Sequence, residues 1–384
     1  MKIVIDDKIP FIRGVFEPYA EVVYLPGDKF TRADIMNADA LVTRTRTKCN
    51  ETLLQGSSVK FIATATIGYD HIDTEWCEAN GIKWISAPGC NSSSVQQYIA
   101  SVFATLSVHF GFNYEETTLG VVGVGNVGSK VAALGKNLGM TVLLNDPPRA
   151  DKEGLDKFVP LDEVLSSSDI VTLHVPLKSN GSHQTYHLFD KTTFEYMRHG
   201  TVLINTSRGE VVDNIALKNA LKSRKIAAAV LDVWENEPDI DDELLPLISI
   251  ATPHIAGYSA DGKANGTTMS VQALSRFFGL PLNEWKPSDI PYPLQPLYFE
   301  LDCGGKNMQQ CLNEAIWYSY AVNDDDGQLR YSPSTFEKQR GEYPVRREFS
   351  AFTIGIKNGI QGIEKRLQTL GFSVKGYSGL KLRV

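Results

Sequence analysis

Gly123-Val-Gly125-Asn-Val-Gly128 constrains the fold more than any other stretch of this chain. It follows the apolar run Leu119-Gly-Val-Val and leads into a helical pattern through Val131, Leu134 and Leu138. A strand, a glycine turn and a helix in that order bring backbone amides and the positive end of a helix dipole to one spot, where a pyrophosphate is stabilised. Gly123, Gly125, Asn126, Val127 and Gly128 are therefore candidate cofactor contacts. Asp146 closes the next apolar run, Thr141-Val-Leu-Leu-Asn-Asp, where a carboxylate accepts hydrogen bonds from adenosine ribose hydroxyls. No arginine stands at 145, 147 or 148 to offset a 2′-phosphate, and Arg149 is the nearest that could swing in. The expected ligand is a dinucleotide, NAD rather than NADP.

A chain of 384 residues exceeds what one hydrophobic core usually organises, so more than one domain is expected. Its formal charge of −7 argues against a general polyanion-binding surface, and nucleic acid is not an expected partner. Cys49, Cys77, Cys90, Cys303 and Cys311 form no CxxC pair and read as free thiols of a reducing compartment. The start, Met1-Lys-Ile-Val-Ile-Asp-Asp, reads as a first strand without the apolar core of a signal peptide. No run approaches the roughly 20 apolar residues of a membrane span. A cytoplasmic protein that does not enter membranes is expected.

Short apolar runs at Ile3-Val-Ile, Glu21–Leu25, Ala40–Thr43, Lys60–Thr64 and Lys83–Ser86 alternate with helical stretches, as in a parallel α/β sheet. A second series begins at Thr118, with strands at 119–123, 141–145, 170–174, 201–206, 227–233 and 249–252. A helix over Ser94–Val108 bridges the two, and the helix after Tyr258 returns to the first. Five prolines between Pro281 and Pro296 mark a linker. The tail reads as strand 298–302, helix 308–320, a polar loop with Asp324-Asp-Asp-Gly, strand 351–356, helix 360–370 and strand 372–375. The expected boundaries are 1–95 with 258–280, 96–257, a linker at 281–296, and 297–384.

Three strand ends carry polar residues: Ile204-Asn-Thr-Ser-Arg208-Gly, Val230-Leu-Asp232-Val-Trp-Glu-Asn-Glu237-Pro and Ala251-Thr-Pro-His254-Ile-Ala-Gly257-Tyr258. Ligands gather at such carboxyl ends. Taken singly, Arg208 reads as a surface charge at a helix start, Glu237 as one member of an acidic loop with Glu235 and Asp239, and His254 as a satisfied strand-end histidine. In the order Arg, Glu, His behind the glycine loop, the chain resembles the D-isomer-specific 2-hydroxyacid dehydrogenases over about residues 1–280. The resemblance implies an α/β protein of two doubly wound parallel-sheet domains, a Rossmann-like cofactor domain and a discontinuous flavodoxin-like substrate domain, with the active site in a cleft reached by hinge motion. It also implies a small α+β C-terminal dimerisation domain and hence a homodimer.

The residue chemistry fits that family. Arg208 can hold a substrate carboxylate bidentately. His254 can exchange the hydroxyl proton while hydride moves between C2 and the nicotinamide, and Glu237 can fix its tautomer. The resemblance further implies that Thr206, Ser207, Arg208, Asp232 and Gly257 contact NAD, with Asp232 at the nicotinamide carboxamide, and that Thr45, Thr66 and Tyr258 contact substrate. Val175 stands where close relatives carry a hydroxyl, and Gln97 where they carry an acid. The substrate implied is a small phosphorylated 2-hydroxy acid, with Arg44, Arg46 or Arg347 as candidates for its phosphate. The remaining histidines have no metal-ligand spacing, and hydride transfer needs no metal. His174 reads as pocket structure. The alternatives are another dehydrogenase of the family, for phosphoglycerate or glyoxylate, and an NAD-sensing binding protein of the same fold.

Overall fold

The computed structural model describes residues 1–375. Two compact units emerge, Met1–Asn91 with Ser259–Pro291, and Ser92–Tyr258 with everything described from Tyr292 onward.

In the first unit β1 (Lys2–Asp6), β2 (Glu21–Leu25), β3 (Ala40–Thr43), β4 (Phe61–Thr64) and β5 (Lys83–Ile85) form one parallel sheet in the order β2-β1-β3-β4-β5. These are the five apolar runs of the sequence. β3 and β4 are buried along their whole length, as parallel strands covered on both faces must be. The helix Ala260–Phe278 joins this sheet through Val271 and Leu274, which pack with Ile3, Ile5, Val42 and Phe61. The first domain is thus discontinuous. The stretch 281–297 carries neither helix nor strand.

The second unit holds β6 (Thr118–Val122), β7 (Thr141–Asn145), β8 (Ile170–Leu173), β9 (Thr201–Asn205), β10 (Ile226–Leu231) and β11 (Ile250–Ala251) in the parallel order β11-β10-β9-β8-β6-β7. The order reverses between β6 and β8, which makes the carboxyl ends of those strands the switch point where ligands bind. A further parallel sheet, β12 (Tyr298–Asp302), β13 (Thr353–Lys357) and β14 (Ser373–Lys375), lies in the C-terminal part with β13 central.

The tail does not stand apart as a third compact unit. Its Leu312, Ile316, Phe352 and Leu367 share one core with the helix Ser92–Phe110 and the inner face of the nucleotide-type sheet. That helix is buried from Val95 to Ser107 on nearly every side, which explains why its sequence lacks a polar face. One expected element is corrected. Asp324-Asp-Asp-Gly is not a loop but lies within the helix Val322–Tyr331, with Asp324 and Asp325 in the first turn, where carboxylates complement the helix dipole. Val322 and Leu329 anchor it. No helix among the described residues is long and apolar enough to cross a membrane.

Candidate active site

The glycine loop is shaped by steric necessity. Gly123 sits at φ +85°, and a Cβ there would lie 2.6 Å from the His174 carbonyl oxygen and 2.8 Å from Val175 Cγ1. A Cβ on Gly128 would lie 1.9 Å from the Gly123 carbonyl oxygen, so only glycine lets the helix Asn126–Leu138 begin this close to the strand. Gly125 and Asn126 are exposed at the crest with nothing near the Gly125 Cβ position, leaving room for a phosphate at the helix start. Val127 is half-buried against the core. Val175 lies at the carboxyl end of β8 beside Gly123, at the switch point.

Asp146 follows β7 and caps the helix Pro147–Glu153, accepting from the Arg149 amide at 3.1 Å. Its second oxygen accepts from the Val124 amide at 2.8 Å, tying it to the glycine loop. The Arg149 side chain is committed elsewhere. Its Nε and Nη2 fork onto Glu153 at 2.7 and 2.8 Å, and Nη1 donates to the Val124 carbonyl at 2.5 Å. A cation so occupied does not offset a 2′-phosphate, which favours NAD.

His254 lies on the segment leaving β11 and adopts φ +55°, a left-handed conformation that costs a non-glycine residue about 1–3 kcal/mol. Surrounding bonds hold it there. The His254 amide donates to the Asp232 carbonyl at 2.7 Å. The buried Asp232 carboxylate accepts from Thr252 Oγ1 at 2.6 Å and from the Ile255 and Ala256 amides at 2.7 and 2.9 Å. Burial pushes the Asp232 carboxyl above its usual range, against the pull of His254 and of those three bonds.

The His254 ring meets Glu237 at 2.6 Å, Nδ1 to Oε1. A carboxylate only accepts, so Nδ1 carries a proton, and Nε2 is the ring nitrogen not engaged by Glu237. Glu235 is bound instead to His187 at 2.7 Å and to the Asn214 amide at 2.9 Å, and Asp239 is exposed. Only Glu237 of the acidic loop serves the histidine. Its Oε2 is buried without a hydrogen-bond partner among the described residues.

Arg208 is half-buried at the end of β9, with Nη1 donating to the Ser207 carbonyl at 2.8 Å. Ser207 in turn donates to Asn205 Oδ1 through its amide and hydroxyl. Gly209 lets this turn approach the segment after β10, since a Cβ there would lie 2.0 Å from the Trp234 carbonyl. The ends of β9 and β10, bearing Arg208 and Asp232, are thereby brought side by side. His174 is half-buried, and desolvation lowers its pKa to about 3, so it stays neutral. Its ring nitrogens meet Thr172 Oγ1 at 3.0 Å and Thr206 Oγ1 at 3.5 Å, placing Thr206 beside the switch point.

In the first unit, Thr45 is exposed just past β3, and Thr66, past β4, bonds Thr64 Oγ1 at 2.7 Å and donates to the Gly68 carbonyl at 3.0 Å. Arg44 forks onto the buried Asp6 at 3.0 and 3.1 Å, so two of its donors are spent at the sheet's own switch point. Arg46 is exposed. Tyr258 and Gly257 follow His254, with the Tyr258 ring edge-on to Tyr343 at 6.0 Å. Arg347 is half-buried in the tail, where its carbonyl accepts from Gln97 Nε2 at 2.9 Å. Gln97 thus joins the long helix to the tail. Sequence reasoning missed the bonds of Tyr98 to Thr252 and of Arg346 to Ala256. The pairing Arg346-Arg is visible in the chain, but nothing local says which arginine is buried. Among the described residues no group of His, Cys, Asp or Glu could hold a metal ion.

Comparison with known proteins shows the family. Residues 94–256 match the D-isomer specific 2-hydroxyacid dehydrogenase NAD binding domain, and residues 295–371 match a domain of unknown function. The chain is 50% identical over 360 residues to an erythronate-4-phosphate dehydrogenase of Bacteroides thetaiotaomicron, covering 93% of this chain and 100% of that protein. It is 39% identical to one of Yersinia enterocolitica, over 98% of this chain and 100% of that one. Among solved structures, D-lactate dehydrogenase from Aquifex aeolicus complexed with NAD and lactic acid superposes with a TM-score of 0.60 at 27% identity, covering 73% of this chain and 96% of its own. The chain belongs to the D-isomer-specific 2-hydroxyacid dehydrogenases, in their erythronate-4-phosphate dehydrogenase branch.

Proposed function

We propose that this chain oxidises 4-phospho-D-erythronate at C2 to 2-oxo-3-hydroxy-4-phosphobutanoate in pyridoxal 5′-phosphate (vitamin B6) biosynthesis. The observation that carries the chemistry is the His254–Glu237 pair at 2.6 Å. The substrate comes from the relatives of up to 50% identity. The glycine cradle, with Gly123 and Gly128 at positions a Cβ would fill, fits NAD, whose nicotinamide when bound accepts the hydride released from C2.

His254 Nε2 takes the C2 hydroxyl proton, and Glu237 stabilises the imidazolium that results. Arg208 binds the substrate carboxylate and draws electron density toward the forming carbonyl oxygen. Thr206, Ser207, Asp232 and Gly257 line the cofactor side in this reading. Thr45, Thr66 and Tyr258 hold substrate. For the phosphate the candidates are Arg44, Arg46 and Arg347, of which Arg44 places two of its donors on Asp6. We also infer a homodimer through the C-terminal domain, where Tyr331 is 92% exposed. A cytoplasmic location suits its five buried free cysteines.

The test is purified chain with NAD and 4-phosphoerythronate, followed by NADH absorbance. Absorbance that rises no faster than with 3-phosphoglycerate or glycolate defeats the substrate assignment.

A further inference from the structure

Within the second unit, the tail grips the segment that carries His254. We infer that Arg346 is a positioning residue for His254, and that the C-terminal module acts on the reaction within its own chain, apart from any part in pairing subunits. This inference rests on the function proposed above only for its kinetic readout.

The segment Thr252–Tyr258 is fastened on both sides. On one side Asp232 takes the Thr252 hydroxyl and the Ile255 and Ala256 amides. On the other, the Ala256 carbonyl accepts from Arg346 Nη2 at 2.5 Å and from Ser94 Oγ at 3.0 Å. Arg346 is only 5% exposed, and such a burial of charge is costly unless the cation is compensated. Compensation comes through Nη2 and the ring faces, since Nε and Nη1 have no hydrogen-bond partner among the described residues. The guanidinium carbon lies 4.4 Å from the Tyr320 ring centroid and 5.8 Å from that of Tyr343. Both tyrosine hydroxyls donate to Asp325 Oδ2, at 2.6 and 2.7 Å, and the Asp325 charge acts on Arg346.

The grip continues along the edge of the sheet. β11 is the outermost strand, and its Ala251 amide donates to Asp326 Oδ1 at 2.7 Å. Arg330 bonds Asp326 and donates to the carbonyls of Leu245 and Ile248, which precede β11. Polar side chains of the tail therefore fix the backbone before, within and after the two residues that launch the catalytic segment. His254 holds a left-handed φ, and a residue in that state stays there only while its surroundings leave no alternative. The Ala256 carbonyl lies two residues on, so the arginine bears on the imidazole through the main chain without touching substrate.

The experiment uses the full chain with Arg346→Lys, Arg346→Met and Asp326→Asn. Folding is checked by circular dichroism and subunit state by light scattering. The expected result for a folded Arg346→Met chain with the wild-type subunit state is a kcat lower by about 100-fold, the scale of a displaced catalytic group. The primary isotope effect with C2-deuterated substrate should rise, since hydride transfer then limits turnover, and the Ile255 and Ala256 amides should exchange faster with deuterium. Arg346→Lys should fall between. A merely structural arginine would lower the melting temperature and leave the isotope effect unchanged. Should Arg346→Met not fold, Arg346→Lys and Asp326→Asn decide. Wild-type amide exchange and isotope effect in the folded variants overturn the inference. If the wild type does not oxidise the phosphorylated acid, the proposed function fails while amide exchange still tests this one.

Discussion

At the scale of single residues, the division of labour among similar side chains follows from their partners. Glu237 and Glu235 stand two apart, yet one meets the His254 ring and the other is spent on His187 and Asn214. His254→Ala should lower kcat by about 100- to 10,000-fold, as expected for a lost general base. Glu237→Gln keeps an acceptor but loses its charge, so a loss of about tenfold is expected in kcat. Both are read from initial NADH production. His174 makes a pH prediction. Its folded pKa of about 3 lies below the roughly 6.5 of an unfolded histidine, so the unfolded chain binds an extra proton between these values. The stability it supports is present above pH 6.5 and is lost as pH falls toward 3. His174→Asn should flatten the fall in unfolding free energy below pH 6 by up to about 1.4 kcal/mol per pH unit, measured by urea titration. The sequence proposed Arg208, Glu237 and His254 through their order behind the glycine loop and the family they resemble, and the structure joins two of them, His254 and Glu237. It could not show that Arg44 is engaged by Asp6, because that pair joins residues 38 apart.

At the scale of elements, the glycine loop makes a graded prediction. Gly128→Ala drives a methyl into the Gly123 carbonyl and should cost about 1–3 kcal/mol of stability along with NAD affinity, whereas Gly125→Ala meets open space and should fold normally. Thermal unfolding with and without NAD separates the two. Glu153 supplies a second handle. Glu153→Ala frees the Arg149 fork, and the ratio of NADP to NAD activity should rise by about tenfold, the scale of one charge-assisted contact near the ribose. Strands were the most legible elements, since parallel strands buried on both faces read as continuous apolar runs. The helix Val322–Tyr331 was hidden for the opposite reason. Three consecutive aspartates mimic a loop, and they are tolerated because one sits at a helix start, one receives two tyrosine hydroxyls and one binds Ala251.

At the scale of the whole molecule, the sequence expected the helix after Tyr258 to return to the first sheet, and Ser259–Pro291 forms one unit with Met1–Asn91. The merging of the tail with the nucleotide-type sheet was not readable, because it depends on pairs such as Gln97 with Arg347, which are 250 residues apart and carry no local mark. Light scattering should give twice the chain mass, and Tyr331→Asp should shift that mass toward the monomer if the exposed C-terminal domain pairs subunits. One consequence reaches the laboratory bench. The last strand of the large sheet is two residues long, and its Ala251 amide is covered by a carboxylate from the tail. A product cut after the proline-rich stretch would leave that rim bare, open to stacking against the rim of another copy. Trimming the tail should therefore yield turbid, self-associating preparations, and not a smaller working enzyme.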